Sequence, residues 1–257
     1  MPTEQFSQAI VRKPGLSLIR GITTADLGTP DFGKAMIQHD AYVDALRYCG
    51  LEVTVLDADE DHPDSVFVED TAIVTDQLAV ITRPAPESRQ SETISMGKTI
   101  DKMFKDVRKI EAPGTLEGGD VMRIGSRFYI GLSGRTNKEG AQQLIINLED
   151  YGYEACTVKM DELLHLKTGV STLGDKTILV DPELASEEQF KPYQHIKVES
   201  AESYAANCIR VNDFILFAQG YPITKQKLVE AGFKLIELDM SEFRKLDGGL
   251  SCLSLRF

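Results

Sequence analysis

Apolar and polar positions along this chain fall into short runs that come round in one order: strand, tight turn, strand, helix, strand. The unit is clearest from Leu116 onward. Val121-Met122-Arg123-Ile124 reads as a strand, Gly125-Ser126 as a turn, and residues 127–132 as the returning strand. Thr136 and Glu139 have the spacing of a capping box, with Thr136 as the N-cap. Ala141, Leu144, Ile145 and Leu148 then fall on one helix face. Tyr151-Gly152 stops the helix, and residues 153–160 give the last strand.

The order recurs. Upstream, residues 64–74 read as a strand turning at Thr75-Asp76-Gln77, with a return over 78–82 and a helix face marked by Ile100, Met103 and Phe104. Downstream, strands over 165–173 and 204–211 turn at Gly174-Asp175 and Asn212-Asp213. The helix of the latter unit follows Pro222-Ile223-Thr224 and ends at Gly232. A fifth unit is split: residues 252–257 form its first strand, 8–12 its second, 33–49 its helix and 51–56 its last strand. Leu253, Leu255 and Phe257 alternate there with Ser254 and Arg256, the period of a half-buried strand. The pattern predicts an α/β fold: a five-bladed, pseudo-symmetric propeller of ββαβ repeats, closed by pairing of the N- and C-terminal strands, which leaves no open edge between first and last units.

One polar residue sits at a comparable place in each unit, at intervals of 42 to 48 residues: Asp70, Glu117, His165, Asn207 and Cys252. In a ring of five units these positions face a central channel. Cys252 follows Gly248-Gly249, a turn that exposes backbone N–H groups around the thiol.

Composition narrows the classes. A chain of 257 residues with 42% hydrophobic and 26% charged residues builds one large core, and 1–257 reads as a single catalytic domain. A net charge of −12 disfavours nucleic acid and anionic membranes and suits a small cationic ligand. No run of 18 apolar residues spans a membrane. Met1 to Phe6 lacks the basic-then-apolar layout of a secretory leader, so the reading is cytoplasmic. Four scattered cysteines, with no C-x-x-C pair, point to reduced thiols, and four isolated histidines give no zinc spacing, so no metal is expected.

A thiolate beside a histidine is a nucleophile–base pair, and two carboxylates in the same pocket favour a planar cation such as a guanidinium, which carboxylates accept in a bidentate fork. Asp70 and Glu117 hold the guanidinium, Cys252 attacks its central carbon, and His165 protonates the departing nitrogen and then activates water.

Six stretches resemble one family, dimethylarginine dimethylaminohydrolase of the guanidino-modifying, amidinotransferase-like superfamily. They are Asp64-Ser65-Val66-Phe67-Val68-Glu69-Asp70, Leu116-Glu117-Gly118-Gly119-Asp120, Gly131-Leu132-Ser133-Gly134-Arg135-Thr136-Asn137, His165-Leu166-Lys167-Thr168-Gly169, Glu202-Ser203-Tyr204-Ala205-Ala206-Asn207-Cys208 and the turn from Asp247 to Cys252. Glu at 117 and a single Cys at the nucleophile turn resemble the bacterial branch more than the mammalian one. Ile22 stands where relatives carry Leu. The resemblance implies hydrolysis of asymmetric dimethylarginine and monomethylarginine to citrulline plus dimethylamine or methylamine, through a covalent thiouronium on cysteine and without metal or organic cofactor. It implies Cys252, His165 and Glu117 as catalytic residues, and Asp70, Asp64, Glu69, Phe67, Arg89, Arg135, Ile22 and Leu246 around the substrate, with the two arginines on its carboxylate. It leaves a homodimer open. Arginine deiminases and amidinotransferases resemble the same core, and an arginine-binding module without turnover is the remaining alternative.

Overall fold

The structure, a computed structural model, describes residues 5–160 and 163–257, so most of the stretch from Met1 to Phe6 lies outside the described residues. Five three-stranded sheets are present among the described residues. In each, a first strand runs antiparallel to the middle strand, and the middle strand runs parallel to the third. The five are Leu255–Arg256, Gln8–Arg12 and Glu52–Leu56; Ala72–Val74, Ala79–Ile81 and Val107–Lys109; Val121–Ile124, Arg127–Leu132 and Glu154–Lys159; Val170–Thr172, Thr177–Val180 and Gln194–Lys197; and Ile209–Val211, Phe214–Ala218 and Lys234–Leu238. Ala9 lies opposite Arg256 and Ile10 opposite Leu255, so the N- and C-terminal strands share one blade, as the split unit predicts.

A parallel pair needs a crossover, and four blades supply it as a helix: Phe32–Tyr48, Glu92–Ile100, Lys138–Glu149 and Pro222–Glu230. The blade built from 170–197 departs from the ββαβ pattern. Its crossover is irregular apart from one helical turn, Glu188–Phe190. Leu184 and Phe190 are its buried apolar anchors; six residues apart, they cannot share one helix face. The helix of the second blade ends at Ile100, and Phe104 beyond it packs on Phe257 with ring centroids 5.1 Å apart. The N-cap of Lys138–Glu149 is Asn137, whose side chain accepts from the Gly140 N–H at 2.8 Å; Thr136, the expected cap, has its hydroxyl turned to the Glu117 N–H at 3.2 Å.

A second departure is common to four blades, where residues read as the starts of first strands are helical turns: Val68–Thr71, Leu166–Gly169, Ser200–Ala206 and Ser251–Leu253. Gly118–Asp120 is the corresponding turn before Val121–Ile124, which is a strand as read, and all five turns lead into strands of only two to four residues. Each turn is tied by a backbone bond spanning three residues: Asp70 to Phe67, Asp120 to Glu117, Thr168 to His165, Asn207 to Tyr204 and Cys252 to Gly249. Over so few residues a turn and a strand leave the same apolar spacing. Ser254, expected on the solvent side of a strand, is buried with its hydroxyl 2.6 Å from Tyr42 Oη.

The core lies between blades. Ile10 and Leu255 pack with Ala72, Ala79, Ile81 and Met96, joining the terminal blade to the next. Ile73 and Val80 pack with Val121, Phe128, Leu144 and Leu148, joining that one to the third. Apolar burial of this kind, at about 25 cal/mol per Å2, makes each blade depend on its neighbours. No helix among the described residues is long and apolar enough to cross a membrane.

Candidate active site

The five turns bring the five polar positions to one end of the ring. Asp70, Glu117 and His165 are buried, and their ligand atoms lie within 4.8 Å of one another. His165 Nε2 sits 2.8 Å from Glu117 Oε2 and 3.9 Å from Asp70 Oδ1. Asp70 Oδ1 also accepts from the Gly119 N–H at 3.0 Å, and its Oδ2 pairs with Arg89 Nη1 at 2.8 Å. Glu117 Oε1 accepts from the Ala85 N–H at 3.2 Å. The His165 ring lies so close over Gly119 that a Cβ there would stand 2.5 Å from Nδ1, which requires glycine at that position. Asp120, on the same turn, accepts from the Leu166 N–H at 3.0 Å and from Ser133 Oγ at 2.7 Å, fixing the backbone next to His165.

Electrostatics set the resting charges. Burial alone would lower the His165 pKa; Asp70, the Glu117 hydrogen bond and Asp120 outweigh it and raise it to about 9. Burial also opposes the charge on Asp70, yet His165, Arg89 and the Gly119 N–H hold its carboxyl down at about 2. Cys252 is half-buried. Burial, then Glu69 and Asp70, push its thiol up to about 12, against the Gly249 N–H at 3.4 Å and Lys167. At neutral pH the free site therefore pairs a neutral thiol with an imidazolium beside the Asp70 carboxylate. Because His165 carries a proton and Asp70 is taken by Arg89, the three donor groups suit a proton and an organic cation better than a metal, whose ligands must be free of both.

Cys252, His165, Glu117 and Asp70 line one cavity together with Asp64, Phe67, Arg89, Arg135, Ile22 and Leu246. Ten of the eleven residues that the resemblance assigns to catalysis or substrate thus meet. Asp64, whose carboxyl is raised by burial, accepts the Ile22 N–H at 2.9 Å, tying the loop after Arg20 over the cavity, and the Ile22 side chain is exposed. Arg135 is part-exposed, 3.6 Å from Glu117 Oε1. Arg89 is buried and largely committed: Nε and Nη2 meet Glu92, Nη1 meets Asp70, and Nη2 reaches the Phe67 carbonyl at 3.3 Å. Glu69 is the exception. It is absent from the cavity wall; its carboxylate pairs with Lys167 Nζ and accepts from Ser251 Oγ at 2.7 Å. Adjacent residues of the 3-10 turn Val68–Thr71 point about 120° apart, so Asp70 faces the cavity while Glu69 turns to Lys167.

Glu92, Asp120, Lys167, Ser251 and Asp247 were not singled out. Asp247 Oδ2 accepts from the Thr24 N–H at 2.6 Å and from the Thr24 hydroxyl at 3.0 Å, which ties the covering loop to the Cys252 turn. Its positive φ of 58° marks a strained turn. An isolated Asp before Gly-Gly was the one available signal.

Five blades around a thiol, an imidazole and a buried carboxylate pair define an α/β propeller of the guanidino-modifying superfamily. A family model described as "N,N dimethylarginine dimethylhydrolase, eukaryotic" matches residues 32–253. The chain belongs to the dimethylarginine dimethylaminohydrolase family. It is 47% identical over 253 residues to the N(G),N(G)-dimethylarginine dimethylaminohydrolase of Pseudomonas aeruginosa, covering 98% of this chain and 100% of that one. Identity to the Streptomyces coelicolor protein of the same name is 37% over 257 residues, covering 100% and 98%. A solved structure of a cysteine-to-serine variant of the P. aeruginosa protein, complexed with citrulline, superposes with a TM-score of 0.97 at 46% identity over 99% of this chain and 100% of that one. The likeness to bacterial relatives agrees with the expectation drawn from Glu117 and the single cysteine.

Proposed function

We propose that this protein hydrolyses N-methylated arginines to citrulline and the corresponding methylamine, with Cys252 as nucleophile, His165 as acid and base, and Asp70 and Glu117 as the guanidinium-binding pair. The observation that carries this reading is the meeting of Cys252, His165 and the two buried carboxylates in one cavity. The citrulline held by the P. aeruginosa relative supports the product assigned here.

The substrate enters as a cation between Asp70 and Glu117. Burial, and after it the anionic field of Glu69 and Asp70, keeps the Cys252 thiol protonated; the substrate's charge offsets that field, so binding favours the thiolate, with the thiol proton released to solvent. The sulfur adds to the central carbon. The C–N bond to the dimethylamino group breaks, with the proton on His165 passing to the leaving nitrogen. Dimethylamine departs and leaves an S-alkylthiouronium. His165, now neutral, takes a proton from water, the hydroxide adds to the same carbon, and the C–S bond breaks to give citrulline and the thiol. Asp64 and Arg135 line the same cavity, where an α-amino group and a carboxylate find opposite charges. Arg89 contributes through Asp70 as well as by facing the cavity. The four free thiols fit a reducing compartment, which supports a cytoplasmic setting for the one-domain enzyme.

The test compares asymmetric dimethylarginine, monomethylarginine and arginine, scoring citrulline against dimethylamine, methylamine and ammonia, with a glycine acceptor in a parallel tube. Citrulline and dimethylamine in equal amounts without added metal, and their loss in a folded Cys252→Ser protein, are the expected results. A higher kcat/KM on arginine would move the assignment to a deiminase, and ornithine formation with acceptor to a transferase. Full activity in Cys252→Ser would overturn covalent catalysis.

A further inference from the structure

Four of the five pseudo-equivalent positions have a place in the proposed chemistry; Asn207 does not. It is buried and absent from the cavity lined by Asp64, Asp70 and Arg135. Its amide is nevertheless fully engaged with both reacting turns. Oδ1 accepts from the Ser251 N–H at 3.0 Å, and Nδ2 donates to Ser251 Oγ and to the Lys167 carbonyl, each at 3.0 Å. A backbone N–H on one side and a backbone carbonyl on the other allow only one orientation of the amide. Ser251 immediately precedes Cys252, and Lys167 lies two residues after His165. Gly249 rests against the amide so closely that a Cβ there would stand 2.5 Å from Asn207 Cγ. An outer connection closes the circuit: Ser251 Oγ donates to Glu69, and Glu69 pairs with Lys167.

We infer that Asn207 is a positioning residue that sets the distance between the nucleophile and the acid/base by clamping the Cys252 turn to the His165 turn. The inference rests on the function proposed above. Attack and proton transfer both need atoms held near 3 to 3.5 Å, and a misplacement of about 1 Å can cost on the order of 100-fold in rate. The hydrogen bonds of Asn207 go to Ser251 and Lys167 and to none of Asp70, Glu117 and Arg135, so its loss should be read in kcat rather than in KM.

The experiment measures Asn207→Ala, Asn207→Asp and Ser251→Ala with asymmetric dimethylarginine, per mole of folded protein. It also measures the rate at which a haloacetamidine alkylates Cys252. In both Asn207 variants kcat should fall about tenfold or more with KM within about threefold, and alkylation should slow in parallel. Ser251→Ala keeps the Ser251 N–H bond and should lose less. Asn207→Asp carries a signature that simple loss of packing lacks. Its ionised carboxylate repels the Lys167 carbonyl, whereas the protonated form donates to it, so the ratio of variant to wild-type kcat should rise as pH falls. A kcat and an alkylation rate within about twofold of wild type in Asn207→Asp, or a loss confined to KM, would overturn the clamp. Should Asn207→Ala fail to fold, the isosteric Asn207→Asp decides. A wild-type protein that makes no citrulline yet loses alkylation rate in the variants would refute the proposed function and leave the clamp standing.

Discussion

At the scale of single residues, charge does most to define the site. His165 keeps its proton up to about pH 9 because Asp70, Glu117 and Asp120 surround it. As the proposed acid it must be protonated to release the amine, so kcat, which reports the substrate complex in which the thiol is already ionised, should fall as pH rises past the pKa of this imidazolium. Glu117→Gln removes one of the supporting charges and the imidazolium becomes easier to deprotonate. The alkaline limb of the pH–rate profile should therefore move to lower pH, as well as the rate falling; an unmoved limb would mean that another group titrates there. The residue types of this centre were legible in the sequence because they recur at one spacing. The direction of each side chain was not. Glu69 and Asp70 are neighbours of the same chemistry, and only the turn decides that Asp70 faces the cavity and Glu69 faces Lys167. The environment of Arg89, held by Glu92 and Asp70, was equally invisible, since it depends on a contact across elements.

At the scale of elements, the apolar periods gave the helices and middle strands with small errors at their ends, because those elements bury one face over many residues. Two features escaped. The inner strands are too short for their period to be distinguished from that of the turns before them, and the crossover over 181–193 has too few apolar residues to make a helix face. The capping residue was misplaced by one position, with a measurable consequence. Asn137 caps its helix, accepts from the Thr115 N–H at 2.9 Å and donates to the Pro113 carbonyl at 2.9 Å. Asn137→Ala should cost about 1–2 kcal/mol in denaturant unfolding, the upper part of the range for a lost cap. Thr136→Val, which leaves the cap intact, should instead disturb Glu117 and be read mainly in kcat.

At the scale of the whole molecule, two histidines of opposite behaviour shape stability. His39 is pushed down to about 4 by burial, so between its ordinary 6.5 and 4 the unfolded chain binds a proton that the folded one refuses. Stability then falls as pH drops through that window. The contribution of His165 is complete below 6.5 and is lost as pH rises through about 9. Asp70 contributes above its ordinary 3.8 and loses that contribution only as pH falls through about 2. The melting temperature should peak near pH 6.5 and decline on both sides. Replacing His39 with an apolar residue should flatten the acid side alone. Ring closure gives a second test at this scale. Deleting residues 253–257 removes the strand Leu255–Arg256 and the packing of Phe257 on Phe104. The truncated chain should lose its cooperative thermal transition; a sharp native-like transition would show that closure is dispensable.

The blade shared by the two ends of the sequence has a consequence for the order of assembly. Four blades draw their strands from contiguous stretches and can form as each stretch leaves the ribosome. The remaining one pairs Gln8–Arg12 with Leu255–Arg256 and must wait for the most distant partner in the sequence. The segment it waits for also carries Cys252. Nascent chains and half-built rings therefore hold no thiol opposite His165, and they stay chemically silent however much of their secondary structure has formed. With Cys252 as the proposed nucleophile, the first turnover should report the completion of the ring.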